Sequence, residues 1–169
     1  MLKTQRILLR AVEPEDLDLI YLVENDTRLW AFGSTNVPLS RHAVRSFLAT
    51  TQNDLYKDGQ LRLCIEGVDG IVKGFLDLQN FAPAHLRAEV GIVLLPEWQR
   101  QGLASEALGL LCDYARSLRL HQLYAVVDAT NAPAVSLFTR QKFEPSGRLA
   151  EWLKNDSGFS DALVLQKKL

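Results

Sequence analysis

The residues best suited to chemistry form the segment Q-R-Q-G-L-A, residues 99–104, which follows an apolar run and precedes a leucine-rich stretch. The first turn of a helix presents unpaired N–H groups and a partial positive charge. Gly102 and Ala104 leave these donors open, and Arg100 adds a formal positive charge beside them. Such a helix start suits a pyrophosphate group. The alternative is that Gly102 and Ala104 serve only the close packing of helix and sheet.

Other chemical motifs are missing from the sequence. The segment is neither the G-x-G-x-x-G fingerprint of dinucleotide-binding domains nor the G-x-x-x-x-G-K-[ST] phosphate loop. Neither His42 nor His121 has the spacing of a metal ligand, and no cluster of His, Cys and Asp suggests zinc. No Ser-His-Asp or Cys-His pairing is recognisable. We therefore expect no metal and no covalent enzyme intermediate.

Composition argues against several broad classes of protein. The 169 residues are 47% hydrophobic and 23% charged, which suits one folded domain spanning residues 1–169. The net charge of −1 lacks the basic surplus of a nucleic-acid binder, and no apolar stretch reaches transmembrane length. The two cysteines, Cys64 and Cys112, form no disulfide framework. We expect a cytoplasmic protein that binds neither nucleic acid nor membrane.

The elements that must position residues 99–104 follow from the spacing of apolar residues. Strands are predicted at residues 6–10, 61–66, 71–80, 88–95, 123–127, 148–154 and 162–167. One helix is predicted from Pro14, a second after an N-cap at Ser40, and a fourth after an N-cap at Asn131. The third helix is predicted from one apolar face, formed by Leu103, Ala107, Leu110, Leu111, Tyr114 and Leu118. The strand at 88–95, the helix after it and the strand at 123–127 form a parallel crossover unit. The pattern predicts a mixed α/β (α+β) domain with this unit in the middle.

Several segments resemble the GNAT superfamily of acetyl-CoA-dependent N-acetyltransferases. Residues 99–104 match its Q/R-x-x-G-x-G/A motif. Residues 88–108 are similar to the central strand, loop and helix of the branch with spermidine and ribosomal-protein N-terminal acetyltransferases. Residues 128–143 resemble that branch's N-x-x-A/S-x-x-L-Y-x-K-x-G-F segment, and residues 7–20 resemble its first strand and helix. The resemblance implies a GNAT-like, mostly antiparallel sheet of six to seven strands with a central parallel β-α-β unit and about four helices.

The same resemblance implies acetyl-CoA as co-substrate, with no metal, and assigns residues to it. The backbone of Ile92, Val93 and Leu94 would pair with the pantetheine arm and offer an N–H to the thioester oxygen. The pyrophosphate would lie on Gln99, Arg100, Gln101, Gly102, Leu103 and Ala104, and the CoA arm would pass Asn131, Ser136 and Phe138. Asn131 would serve as a helix cap as well. Gly91, inside the strand, suits a bulge or a close approach of backbone, and the alternative is room for a neighbouring side chain.

Two further positions concern catalysis. Glu89 stands where related enzymes often carry a glutamate that acts as a base through water, because deprotonating an alkylammonium at pH 7 costs about 4 kcal/mol. The alternative is an edge residue paired with Arg87 or Arg62. Phe138 stands where the family places the tyrosine that protonates the leaving thiolate, and it cannot act as an acid. Water or another hydroxyl then takes this role, or the protein transfers poorly. Lys142 replaces the usual glycine after the last helix, where a left-handed conformation costs on the order of 1 kcal/mol.

The acceptor amine is the least determined partner. Residues 13–26 hold six acidic side chains and no Lys or Arg. Glu24 and Asp26 lie near a helix end, which disfavours carboxylates and so suggests a cationic partner; the alternative is a solvated face. By family position, the acceptor pocket would be lined by Glu24, Trp30, Phe32, Asp77, Phe81 and His85, although Trp30 and Phe32 are equally suited to the core.

Three functions are compatible with this sequence. The first is an N-acetyltransferase in which a polyamine, a protein N-terminus or a small amine attacks acetyl-CoA directly. The second is an acyl-CoA-binding or sensing module with little catalytic activity, suggested by Phe138. The third is an interaction protein that keeps the fold for packing alone. A homodimer is expected only by analogy with the fold.

Overall fold

Seven strands and six α-helices are present in the described residues, 2–30, 37–155 and 158–169, of this computed structural model. The strands are β1 (Ile7–Ala11), β2 (Leu61–Gly67), β3 (Val72–Ala82), β4 (Arg87–Leu94), β5 (Gln122–Asp128), β6 (Glu144–Asn155) and β7 (Gly158–Lys168). The helices are α1 (Leu17–Glu24), α2 (Thr27–Trp30), α3 (Arg41–Thr50), α4 (Leu55–Asp58), α5 (Leu103–Ser117) and α6 (Ala132–Arg140). All seven predicted strands and four predicted helices are confirmed. The four-residue helices α2 and α4 were not predicted, and β6 begins four residues earlier than its pattern indicated.

The strands form one sheet in the order β1-β2-β3-β4-β5-β7-β6. Neighbouring strands are antiparallel except for β4 and β5, which are parallel and are joined through α5. This is the expected mixed, mostly antiparallel sheet with a central parallel crossover. In the part of the chain that is described, no helix combines the length and apolarity needed to cross a bilayer.

The two faces of the sheet bury different helices. On one face, the even-numbered side chains of β4 and the odd-numbered ones of β5 pack against α5 and α6 in the larger core. On the other face, α1 and α3 cover a smaller core around Phe75. Of the predicted apolar face of α5, Leu103, Ala107 and Leu111 are buried, whereas Leu110 and Tyr114 are only partly buried. Leu108, Cys112 and Ala115 are buried as well, although the pattern did not predict it. The surface of α5 that packs against the sheet is therefore wider than the predicted apolar face.

Helix caps form as the sequence predicts. The Ser40 hydroxyl accepts a hydrogen bond from the Ala43 N–H at 3.0 Å, and the Asn131 side chain accepts one from the Ala134 N–H at 3.1 Å. Lys142, after α6, has a φ of +63°, the left-handed conformation expected where the family has glycine. These local features follow from residue type alone.

The parallel strands separate soon after they begin to pair. Their ladder contains three residue pairs and ends with Glu89 opposite Tyr124. Beyond that pair, β4 continues along β3 and β5 continues along β7, but the two are not paired with each other. We call the resulting opening, between residues 90–94 of β4 and 125–128 of β5, the wedge.

Candidate active site

The loop between β4 and α5 presents a bare helix start at the wide end of the wedge. Arg100 and Gly102 have φ values of +61° and +81°, and Gly102 caps α5 without any side-chain hydrogen bond. The Gly102 carbonyl oxygen accepts the Ser105 N–H at 3.1 Å, so the preceding N–H groups, at Leu103 and Ala104, have no acceptor inside the helix. The expected open N-terminus is therefore present, and an anion placed there would meet free donors.

Arg6, immediately before β1, holds this loop and was missed by the sequence reasoning. Its Nη1 donates to the Gln101 carbonyl oxygen at 3.0 Å, and its Nε donates to the Glu106 carboxylate at 2.8 Å. Thr4 also donates to Glu106, at 3.1 Å. A carboxylate in the first turn of α5 would repel a phosphate, and Arg6 neutralises it. Nothing in the sequence signals a contact between residues 95 positions apart.

The two glutamines of the loop mainly brace its backbone. Gln99 donates from its side-chain amide to the Leu94 carbonyl oxygen, and Gln101 donates to the Glu97 carbonyl oxygen, both at 2.9 Å. Arg100 is exposed, and its side chain makes no hydrogen bond to any other described residue. Of the loop side chains expected to assist with phosphates, only the Arg100 cation is thus left for a ligand.

The backbone of β4 faces the wedge at alternate residues. The Leu95 N–H donates to the Lys73 carbonyl oxygen of β3 at 2.9 Å. Antiparallel pairing turns successive residues to opposite sides, so Val93 also directs its backbone groups to β3. Ile92 and Leu94 turn theirs toward the wedge, where Gln99 already occupies the Leu94 carbonyl oxygen. Of the three positions expected to meet pantetheine, Ile92 is therefore the best placed and Val93 faces the wrong strand.

Gly91 keeps the strand bare on the face that carries Glu89. The β3–β4 register is regular from Gly74 to Gln79, so there is no bulge at Gly91. A Cβ on Gly91 would lie 3.6 Å from the Cβ of Asp77, an ordinary contact, so no neighbour requires the space. The bulge and the room for a neighbouring side chain are therefore wrong, and the close approach of another backbone stays a prediction. Because Gly91 has no side chain, the backbone between Asp77 and the wedge is uncovered on this face.

Glu89 lies half-buried in the middle of the sheet. Asn80 donates to its carboxylate at 2.8 Å, and Tyr124 stands opposite it in the β4–β5 ladder. Burial raises the pKa of Tyr124, and the negative charge of Glu89 raises it further. The alternative of an edge residue paired with Arg87 or Arg62 is wrong, because β4 is a central strand and neither ion pair forms.

The α6 residues expected along the CoA arm have different surroundings. Phe138 is only 3% exposed, and its ring packs edge-on against Phe143 with centroids 5.0 Å apart. Ser136 is exposed on the helix, and the Asn131 side chain is used as the cap. Phe138 thus fills core space and offers no hydroxyl.

A cavity of about 260 Å³ lies beside Glu89, lined by residues of α1, α3, β2 and β3. Two of its lining residues, Asp77 and Gln79, are the cross-strand partners of Gly91 and Glu89. The cavity therefore adjoins the uncovered backbone of β4, and it holds two of the residues expected to line an acceptor pocket, Glu24 and Asp77.

Residues 6–144 match the family described as Acetyltransferase (GNAT) domain. The chain belongs to the GNAT acetyltransferase family. The spermidine N(1)-acetyltransferase of Escherichia coli (strain K12) is 29% identical over 144 residues, which cover 85% of this chain and 75% of that protein. An uncharacterized N-acetyltransferase of Bacillus subtilis (strain 168) is 29% identical over 157 residues, covering 90% of this chain and 88% of that protein. The chain is accordingly an N-acetyltransferase.

Solved structures agree on the fold of this GNAT domain. Spermidine N-acetyltransferase from Vibrio cholerae, in complex with CoA and spermine, has a TM-score of 0.87 at 23% identity, covering 98% of this chain and 96% of that chain. Ribosomal-protein-alanine N-acetyltransferase from Brucella melitensis has a TM-score of 0.81 at 24% identity, covering 96% and 99%. The expected GNAT fold is confirmed.

In this GNAT domain, Arg62 occupies the centre of the cavity's charged wall. Its Nη1 lies 2.5 Å from the Glu24 carboxylate, and its Nε lies 2.7 Å from the Asp77 carboxylate. Burial disfavours the Arg62 cation, but Asp77 and Glu24 outweigh that effect and raise its pKa. The cation that Glu24 was expected to attract is therefore an arginine of this chain.

Three other acidic side chains of residues 13–26 also pair with arginines of this chain. Asp16 is buried and pairs with Arg10 at 2.7 Å, and Asp26 pairs with Arg28 at 2.6 Å. Asp18 is paired with Arg41. Glu13, Glu15 and Asp18 are exposed, so the solvated face describes the start of this segment, whereas Asp16, Glu24 and Asp26 are paired with arginines of this chain.

Two of the remaining acceptor candidates, Phe81 and His85, do not line the cavity. His85 is exposed in the turn before β4, and Phe81 packs edge-on against Tyr56 with ring centroids 4.9 Å apart. The Trp30 side chain and Phe32 lie outside the described residues. No group of three or more His, Cys, Asp and Glu side chains is placed to hold a metal ion within the described ranges.

Proposed function

We propose that this chain, as one acetyltransferase domain of residues 1–169, moves the acetyl group of acetyl-CoA to a primary amine by direct attack. The observation that carries the proposal is the wedge, which runs from Glu89 to the open start of α5. The narrow end of the wedge suits the thioester of acetyl-CoA, and the wide end suits its pyrophosphate. The thioester would lie near Glu89 and the pyrophosphate near Gly102.

The donor side needs an anion site and a hydrogen bond to the thioester oxygen. The N–H groups of Leu103 and Ala104 and the Arg100 cation would hold the pyrophosphate. Backbone groups at Ile92 would meet the pantetheine arm and the developing oxyanion. Glu89 would accept a proton from the amine through water, and the amine nitrogen would then attack the carbonyl carbon and expel the thiolate.

On the acceptor side, the charges of the cavity favour an amine that carries a single positive charge. Two carboxylates, Glu24 and Asp77, face the cavity, but Arg62 is paired with both. The three side chains together carry a net charge of −1, which suits one ammonium and gives little attraction for a polyamine. We therefore propose a protein N-terminus or a small monoamine as the acceptor, although the Escherichia coli relative is named for spermidine.

The second candidate function is an acyl-CoA-binding module with little transfer activity. The buried Phe138 favours it, because no hydroxyl exists at that position to protonate the thiolate. The two candidates share the CoA site and differ only in turnover. Release of free CoA in the presence of an amine separates them.

The first experiment is thermal unfolding with acetyl-CoA, using ATP and NAD as controls. Ligand at a hundred times its dissociation constant stabilises by roughly 2.7 kcal/mol, or about 5–10 °C for a domain of this size. A shift specific to acetyl-CoA is expected in the unmodified protein and in Arg119→Ala, and a smaller shift in Arg100→Ala. Arg119 is the matched control because it is also exposed with a positive φ, at the other end of α5.

The second experiment measures CoA release with spermidine, a peptide with a free N-terminus and a small monoamine. Turnover of the peptide or the monoamine above that of spermidine supports the proposed acceptor. Preference for spermidine contradicts the argument from Arg62. Acetyl-CoA binding without turnover of any amine would favour the binding module, and absence of binding would end both proposals.

Two properties of the whole protein complete the proposal. We place it in a reducing cytoplasmic compartment, since Cys64 and Cys112 are both buried and unpaired. We also propose self-association, as a homodimer or larger assembly, through the β6–β7 hairpin, where Trp152 and Phe159 are 60% and 64% exposed. A Vibrio cholerae spermidine N-acetyltransferase is described as dodecameric. Sedimentation of the unmodified protein and of Trp152→Ser tests this.

A further inference from the structure

The leaving thiolate has no proton donor at Phe138, so the donor must be sought elsewhere around the wedge. A useful group needs a hydroxyl, a position at the narrow end where the thioester would lie, and a partner that can return its proton. Tyr124 has these properties. It stands opposite Glu89 in the last pair of the β4–β5 ladder, where the two strands separate.

The side chains of Tyr124 and Glu89 lie on the same face of the sheet. Their neighbours along each strand, Ala88 and Leu123, are buried against α5 on the opposite face. The Tyr124 phenol faces the Glu89 carboxylate across this pair, and the charge of Glu89 adds to burial in raising the pKa of Tyr124. Tyr124 is also half-buried, as Glu89 is. The phenol thus lies beside the base that the proposed reaction uses and near the uncovered backbone of Gly91.

Several charged side chains share the face of this pair, and on β3 the nearest is Asp77, which stands opposite Gly91 and is paired with Arg62. On the same face, β4 contributes Arg87 as well as Glu89, and β7 contributes Lys168 next to the neutral Gln166 that pairs with Tyr124. The positive charge of Arg87 lowers the pKa of Tyr124, opposing the effects of burial and of Glu89. Asn80, the other partner of Glu89, is neutral. Burial and, after it, the charge of Glu89 therefore keep the proton on the phenol.

We propose that Tyr124 protonates the departing CoA thiolate and that Glu89 returns the proton to Tyr124. The assignment rests on the proposed acetyl transfer. An alkylammonium loses two protons on becoming an amide, one to solvent and one to Glu89. As the carbon–sulfur bond breaks, sulfur leaves with the electron pair and takes the phenolic proton. The phenolate then takes the proton from Glu89, so both side chains regain their starting states.

The protonation state of Glu89 decides when Tyr124 donates its proton. While Glu89 is ionised, its negative charge raises the pKa of Tyr124 and helps to keep the proton on the phenol. Once Glu89 has taken the amine's proton, the pKa of Tyr124 is no longer raised by that charge, and the phenol becomes a better donor. The donor is therefore activated only after the amine has been deprotonated.

The test compares Tyr124→Phe with Tyr114→Phe, a matched control on α5 away from the wedge. A thiol with a pKa near 8.5 is disfavoured as free thiolate by about thirtyfold at pH 7. Tyr124→Phe should therefore lower kcat by about 10- to 30-fold at pH 7, with unchanged acetyl-CoA affinity and with Tyr114→Phe like wild type. The defect should shrink above pH 9, where the thiolate leaves without protonation.

A double variant tests the shared proton path. Glu89→Gln with Tyr124→Phe should be about as slow as Glu89→Gln alone, because both changes interrupt one relay. Wild-type turnover in Tyr124→Phe, a defect that is constant with pH, or multiplied defects in the double variant would each overturn the assignment. An unmodified protein that binds acetyl-CoA but acetylates no amine would instead overturn the proposed function, and this assignment would fall with it.

Discussion

Replacing Gly102 by alanine tests whether the start of α5 holds the phosphates of CoA. Gly102 has a φ of +81°, a left-handed conformation that costs a residue with a side chain about 1–2 kcal/mol. An added Cβ would lie 3.4 Å from Nη2 of Arg6, which is the movable end of a long side chain. Backbone conformation, rather than space, therefore sets the cost.

The conformational penalty of Gly102→Ala should appear as a weaker affinity for CoA. Without ligand, the alanine loop can relax to a negative φ, and it must return to the original conformation to present its N–H groups to phosphate. A penalty of about 1–2 kcal/mol corresponds to an affinity for CoA that is about 5- to 30-fold weaker. Titration calorimetry with CoA measures this directly.

Gly59→Ala is the matched control for Gly102→Ala. Gly59 ends α4 with a φ of +70°, and an added Cβ would meet nothing within 4 Å. Its strain is therefore similar but lies away from the loop, so its unfolding temperature should fall by about 2–8 °C while CoA affinity stays unchanged. Equal affinity in wild type and Gly102→Ala would refute the assignment of this loop to phosphates. Equal weakening in both variants would attribute the effect to general loss of stability.

Three further changes test other contacts. Arg62→Gln leaves Glu24 and Asp77 without their cation, so stability should fall by about 3 kcal/mol in urea unfolding and the relative kcat/KM for spermidine should rise; an unchanged preference would contradict the charge argument. Asp16→Asn removes the carboxylate whose pKa Arg10 lowers against the opposing effect of burial. The stability due to that shift is full above the unfolded pKa of about 3.9 and is lost as pH falls through the lower folded value. The variant should therefore be less stable at pH 7, by about 2–3 kcal/mol, and the deficit should narrow below pH 4. Lys142→Gly should raise the unfolding temperature by about 2–4 °C, because its φ is +63°; no rise would show that the strain is offset elsewhere.

Local features of this chain were predictable because neighbouring residues decide them. The caps at Ser40 and Asn131 depend on side chains that reach backbone N–H groups three positions ahead. The bare start of α5 depends on Gly102, and the left-handed Lys142 depends on how a helix ends. Periodicity placed every strand of the sheet, although it missed α2 and α4, which are too short to show a pattern.

Contacts across the sheet were not predictable, because strand order and register decide them. Arg6 reaches the α5 loop only since β1 lies on that side of the fold, and Arg62 meets Asp77 only through the β2–β3 register. The sequence suggested Arg62 as a partner for Glu89, but the pairing of β3 with β4 puts Gln79 opposite Glu89 and leaves Arg62 to the cavity.

The sequence alone thus determined the family resemblance, the order of the elements and the open helix start suited to a phosphate, all of which depend on residues close together in the chain. Only the tertiary structure decided which charges reach the acceptor cavity, that the β4–β5 ladder ends at Glu89, and that Tyr124 stands beside that carboxylate. The physical reason is that side chains on different strands meet only once every register in the sheet is fixed, and a shift of one residue would turn Tyr124 to the opposite face.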